Sequence, residues 1–129
     1  MRLLRVFATV LALAFGVWLP AAPVTGAPAP PAAALQAGIP PEAFMVLTYV
    51  REHREAPPGH VGGRRFGNFE GRLPKVDARG RRLAYQEWDI HPKRPGRSRG
   101  PQRLVTGSDG RAWYTADHYD TFIEIRERR

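Results

Sequence analysis

Residues 40–54 read Pro40-Pro41-Glu42-Ala43-Phe44-Met45-Val46-Leu47-Thr48-Tyr49-Val50-Arg51-Glu52-His53-Arg54. Ala43, Val46, Leu47 and Val50 fall at i, i+3, i+4 and i+7, one apolar helical face that Phe44 broadens. Proline suits a first helical turn, and Glu42 complements the positive end of the helix. Pro57-Pro58-Gly59 stops it, so the spacing predicts a helix through about Arg54. Downstream the pattern changes. Leu83–Ile90, Arg103–Thr106, Ala112–Thr115 and Tyr119–Ile125 are short and rich in aromatic or β-branched residues. Gly80, Pro92-Lys93-Arg94-Pro95-Gly96, Ser108-Asp109-Gly110 and Asp117-His118 separate them as turns. A helix followed by an antiparallel meander is an α+β plan, one helix packed on a sheet of about five strands.

The 129 residues leave room for one compact domain and a short extension. A multidomain enzyme or a large doubly wound sheet is excluded. Twenty basic residues, all arginine except Lys75 and Lys93, oppose 12 acidic ones and give a net charge of +8. Such a balance implies a polyanionic partner: nucleic acid first, then an anionic membrane or an acidic protein. There is no cysteine, so disulfides, thiolate metal sites and cysteine nucleophiles are ruled out.

The N-terminus reads as an export signal over residues 1–27. Arg2 and Arg5 form a charged start, Val6–Trp18 is an apolar run of 13 residues, and Thr25-Gly26-Ala27 offers a cleavage site, with Ala22 as the alternative. Thirteen residues rise about 20 Å as a helix, short of the ~30 Å core of a bilayer. The expected product is therefore extracellular, without an anchor. Residues 28–38 are a Pro/Ala-rich leader that cannot build a core, and the folded domain is expected over 39–129.

Several residues could carry chemistry. His91–Arg103 holds Lys93, Arg94, Arg97, Arg99 and Arg103 without an acid. The first three fit a solvated loop, whereas Arg99 and Arg103 lead into an apolar strand, where planar guanidinium forks suit phosphate oxygens. Strand alternation sets Tyr85, Glu87 and Asp89 on one face and Trp88 and Ile90 on the other. If Trp88 and Ile90 face the helix, Glu87 lies on the open face. By itself such a glutamate is ordinary, and it gains meaning only beside a complementary acid or base. His118 stands at the turn into the last segment, and His53, His60 and His91 read as surface residues. No histidine pair has zinc-motif spacing, so neither a metal nor a cofactor is expected.

Four segments taken together carry more. Phe66-Gly67-Asn68-Phe69-Glu70-Gly71-Arg72-Leu73-Pro74, Tyr85-Gln86-Glu87-Trp88-Asp89-Ile90, Arg99–Arg103 and Asp117-His118-Tyr119-Asp120-Thr121-Phe122 occur in one order and at one spacing. In that pattern the chain resembles the secreted guanyl-specific microbial ribonucleases, the barnase-like group, and most of all its Streptomyces members. The Pro-Pro-Glu-Ala before the helix is similar too, and the resemblance covers residues 39–126. It implies Glu87 as general base, His118 as general acid, and Arg99 and Arg103 as phosphate-binding groups. It further implies Asn68, Phe69 and Glu70 in a guanine-holding loop and Tyr119 lining the phosphate site. Two departures stand out. Phe69 replaces the arginine usual in the barnase loop, and the cysteine pair of the Streptomyces relatives is missing.

Elementary chemistry fits those roles. Cleaving RNA without metal requires taking a proton from a 2′-OH and giving one to the leaving 5′-oxygen, which a carboxylate and an imidazole can do. Arginines beside them stabilise the charge building on phosphorus-bound oxygens. A carboxylate such as Glu70 accepts the adjacent N1–H and N2–H donors of guanine, whereas adenine presents an acceptor. The partner implied is single-stranded RNA, acted on by a monomer, with a small acidic barstar-like inhibitor favoured by charge. Two other readings are a ribonuclease toxin against competing cells and a cationic nucleic-acid binder without catalysis. The second has no need of Glu87 or His118.

Overall fold

The computed structural model describes residues 36–126. The export signal expected over 1–27 and the leader through residue 35 lie outside the described residues. The described chain forms one helix, α1 (Pro41–His53), and five strands: β1 (Gly62–Phe66), β2 (Tyr85–Asp89), β3 (Arg103–Gly107), β4 (Ala112–Thr115) and β5 (Ile123–Glu124). The strands pair antiparallel in the order β1-β2-β3-β4-β5, an open meander. The α+β expectation holds.

Helix α1 starts with Pro41 in its first turn and ends at Arg54, which turns left-handed while its N–H returns to the Val50 carbonyl. Ala43, Phe44, Val46, Leu47 and Val50 are buried. They meet Trp88, Ile90, Leu104, Ala112, Tyr114 and Ile125 in one core between helix and sheet. Trp88 and Ile90 do face the helix. The opposite face carries a second, smaller cluster of Leu73, Tyr85, Val105 and Trp113, onto which Phe66, Tyr119 and Phe122 pack. Glu87 stands on that second face, with Tyr85 and Asp89 as its neighbours along the strand.

Two strand expectations need correction. The first strand, Gly62-Gly63-Arg64-Arg65-Phe66, has no apolar alternation and was not legible as a strand. It exists because its backbone completes the edge of β2, with Arg64 opposite Glu87 and Phe66 opposite Tyr85. Tyr119–Ile125 is not one strand: only Ile123–Glu124 pairs. His118 and Tyr119 both adopt left-handed backbone, with φ of 57° and 78°, so the chain cannot run extended there. The turn is built by side chains instead. Thr115 Oγ1 accepts the Tyr119 N–H at 3.0 Å and donates to Asp117, and Asp117 accepts both the N–H and the hydroxyl of Thr121.

Two consequences are measurable. A methyl group on Gly62 would lie 2.6 Å from the Trp88 ring and 3.1 Å from its Cα, so Gly62→Ala should destabilise by about 1–3 kcal/mol. Urea unfolding should show a lower midpoint at unchanged slope. Separately, the hydrogen bonds from Thr121, then Thr115, hold the exposed Asp117 carboxylate down to about 2. A depressed carboxylate stabilises the fold above its unfolded value, near 3.9. That contribution is lost as pH falls through about 2. Thermal midpoints measured from pH ~5 down to ~2 should therefore fall more steeply for the parent than for Asp117→Asn.

Candidate active site

The open face is organised around a buried charge. Asp89 ends β2 and is only 2% exposed. Arg99 grips it with two donors, Nε to Oδ2 at 2.7 Å and Nη2 to Oδ1. Arg103, the first residue of β3, sits directly opposite Asp89 in the ladder and brings its Nε to 3.1 Å from Oδ1. That contact is an ion pair rather than an aligned hydrogen bond, so Nε–H remains a buried donor without an acceptor. Its Nη1 is fixed by the carbonyls of Gly100 and Gln102 at 2.9 and 2.7 Å. Sequence reasoning set Asp89 on this face but did not pair it. The signal lay in an acid two residues ahead of a segment rich in arginine that holds no acid of its own.

Glu87 lies two residues before Asp89 and is half-buried. The Tyr119 phenol donates a hydrogen bond to Glu87 Oε2. Burial, and then this carboxylate, push the phenol up to about 12, so Tyr119 remains a donor across the working range of pH. Tyr119 reaches across the sheet because the left-handed turn folds it back, with its ring 4.9 Å from Phe66. His118 precedes it, exposed, its ring 4.9 Å from that of Tyr119 and its N–H on the Pro101 carbonyl. The turn thus ties His118 to the same 99–103 segment that supplies both arginines. Consecutive left-handed residues are costly outside glycine and are concentrated at functional sites.

A cavity of about 350 Å³ opens beside Tyr119 and is lined by Asn68, Phe69, Glu70, Arg72, His118 and Asp120, among others. Its floor is the loop that follows β1. The Asn68 amide is spent inside this loop: it donates to the Leu73 carbonyl at 2.8 Å and accepts the Leu73 N–H at 3.0 Å. Asn68 therefore shapes the loop through both ends of its amide. Glu70 is exposed and accepts a hydrogen bond from Arg72 Nε at 2.9 Å, while Arg72 also approaches Asp120 at 3.7 Å across the cavity. Phe69 is 98% exposed and lies over the Gly67 backbone, where a side chain on Gly67 would meet its ring at 2.2 Å. Glu87, Arg99 and Arg103 lie outside this lining and connect to it through Tyr119. All eight candidate residues thus fall on one side of the sheet, in two adjoining parts. Among the described residues, no group of three or more His, Asp or Glu is placed to hold a metal ion.

A family model described as ribonuclease matches residues 29–126. A ribonuclease of Heyndrickxia coagulans is 41% identical over 71 residues, 55% of this chain and 60% of that protein. A ribonuclease of Bacillus intermedius is 41% identical over the same length, 40% of its own chain. The chain therefore matches less than two thirds of the length of these relatives. Crystal structures of ribonuclease Sa2 with guanosine-2′-cyclophosphate and with exo-2′,3′-cyclophosphorotioate are each 34% identical. They superpose with TM-scores of 0.52 and 0.53, over 71% of this chain and 91% and 92% of theirs. With the helix, the five-stranded meander and the whole of 36–126 accounted for, the chain belongs to the barnase-like microbial ribonuclease family.

Proposed function

We propose that this protein is a secreted, monomeric endoribonuclease that cleaves single-stranded RNA on the 3′ side of guanosine, without metal. The observation that carries the reading is the Glu87 carboxylate on the open face, bonded by Tyr119, whose ring lies 4.9 Å from that of His118, with an arginine pair held on Asp89 two residues along the strand. Glu87 takes the proton from the 2′-OH. The 2′-oxygen attacks phosphorus, and the bond to the 5′-oxygen breaks as His118 gives that oxygen a proton. The product is a 2′,3′-cyclic phosphate, which water then opens more slowly to a 3′-phosphate with the two roles reversed. Arg99 and Arg103 supply positive charge to the phosphate oxygens, and Asp89 keeps both guanidinium planes fixed.

For the base, Glu70 is the acceptor of guanine N1–H and N2–H, with Arg72 orienting its carboxylate from one side. Phe69 offers a flat, solvent-facing ring on which a base can stack, worth about 1–3 kcal/mol but indifferent to base identity. The cavity beside Tyr119 is the matching space. Residues 1–27 act as export signal and 28–38 as leader to a catalytic domain over 39–129. A small acidic inhibitor protein would meet the basic surface by electrostatic steering. The Sa2 complexes with guanosine and cyclic phosphate ligands support both the chemistry and the base preference.

The paired roles make a kinetic test. The kcat/KM on RNA should be bell-shaped in pH, because one group must be ionised and the other protonated. Glu87→Gln and His118→Gln should each lose about 10²-fold or more in kcat while RNA binding persists. Near-normal turnover by a folded His118→Gln protein would remove the acid from this scheme.

A further inference from the structure

The phosphate site as described is short of positive charge. Arg99 and Arg103 are both committed to Asp89, and Glu87 adds another negative charge, so these four residues sum to zero. Arg103 is also nearly covered, its side chain only 5% exposed. Arg72 is engaged by Glu70 and Asp120. A substrate phosphate would bring a further negative charge next to Glu87, and more as the transition state forms.

One uncommitted cation stands at the right place. Arg64 on β1 is the direct cross-strand neighbour of Glu87, and directly opposed residues project to the same face of a sheet. It is exposed, and among the described residues its side chain enters no hydrogen bond or ion pair. Its presence on this face is the work of a bulge. Gly62 pairs with Trp88, whose side chain faces the helix, and without an insertion Gly63 would oppose Glu87. Gly63 instead takes a left-handed φ of 84° and is skipped, so Arg64 is moved onto the Glu87 row. Bulges of this kind re-aim side chains and gather at active sites. Gly62-Gly63 thus has a reason at each position: the first lies under the Trp88 ring, the second makes the bulge.

We infer that Arg64 is a phosphate-binding residue, reaching over Glu87 from the open edge of the sheet to an oxygen of the scissile phosphate. This rests on the ribonuclease reading above. On that edge it supplies the positive charge that Asp89 withdraws from Arg99 and Arg103. The cationic wall of the site then has two sides: β3 and its preceding loop on one, β1 on the other.

The test uses GpC, whose only phosphate is the scissile one, so no neighbouring phosphate can contribute. Arg64→Ala should lower kcat/KM about tenfold, less than the loss of a buried donor because Arg64 is exposed. Arg64→Lys should recover most of that loss. Arg79→Ala, which removes the same charge from the exposed Asp77–Gly80 turn outside the cavity lining, should leave the rate within about twofold. Equal rates for the parent and Arg64→Ala would overturn the assignment. So would a loss confined to longer oligoribonucleotides, which would move Arg64 to a flanking phosphate. A parent protein that leaves GpC uncut would overturn the ribonuclease reading, and the role of Arg64 with it.

Discussion

The buried carboxylate of Asp89 is the constraint on which the open face depends. A charge taken out of water is costly, and the cost is offset only by well-placed opposite charge and hydrogen bonds. Here two guanidinium groups meet it, one from the strand next door and one from the loop leading into that strand. The same contacts fix the loop from Arg99 to Arg103, and Pro101 in that loop holds the backbone of His118. One ion cluster therefore positions the arginines directly and the histidine at one remove. Removing a single partner from such a cluster costs about 3–5 kcal/mol, since it strands a charge.

The helix serves a different purpose. Its apolar face and the inner residues of β2, β3 and β4 form the larger core, which leaves the outer face free for polar chemistry. Alternation along β2 then assigns each residue: Trp88 to the core, Glu87 and Asp89 to the site. Phe66, Tyr85 and Trp113 with Tyr119 and Phe122 make a smaller apolar floor on the outer face. Tyr119 belongs to both, its ring packed on that floor and its hydroxyl on Glu87.

Much of this was legible in the residues. The period of residues 43–50 marked the helix, and the alternation of 83–90 set Glu87 opposite Trp88. The order of four short segments marked the family and the candidate residues. What was not legible depends on long-range pairing. Gly62–Phe66 reads as a charged loop, and only its partnership with β2 makes it a strand. The mutual engagement of Asp89 with Arg99 and Arg103 joins segments 10 or more residues apart. The spent amide of Asn68 and the Arg72 grip on Glu70 are likewise contacts that composition does not reveal. Tyr119 looked like a strand residue because its neighbours are aromatic and β-branched, whereas backbone N–H groups donating to the Thr115 and Asp117 side chains decide the backbone there.

The central claim is that a carboxylate and an imidazole on one sheet face cleave RNA by internal transfer to the 2′-oxygen. The most direct measurement is mass analysis of the ends produced from one oligoribonucleotide containing all four bases, in excess EDTA, with the DNA of the same sequence alongside. The expected result is RNA cut 3′ of guanosine first, leaving 2′,3′-cyclic phosphate and free 5′-hydroxyl ends, with the DNA intact. Cleavage of the DNA, or 5′-phosphate ends on the RNA, would contradict it.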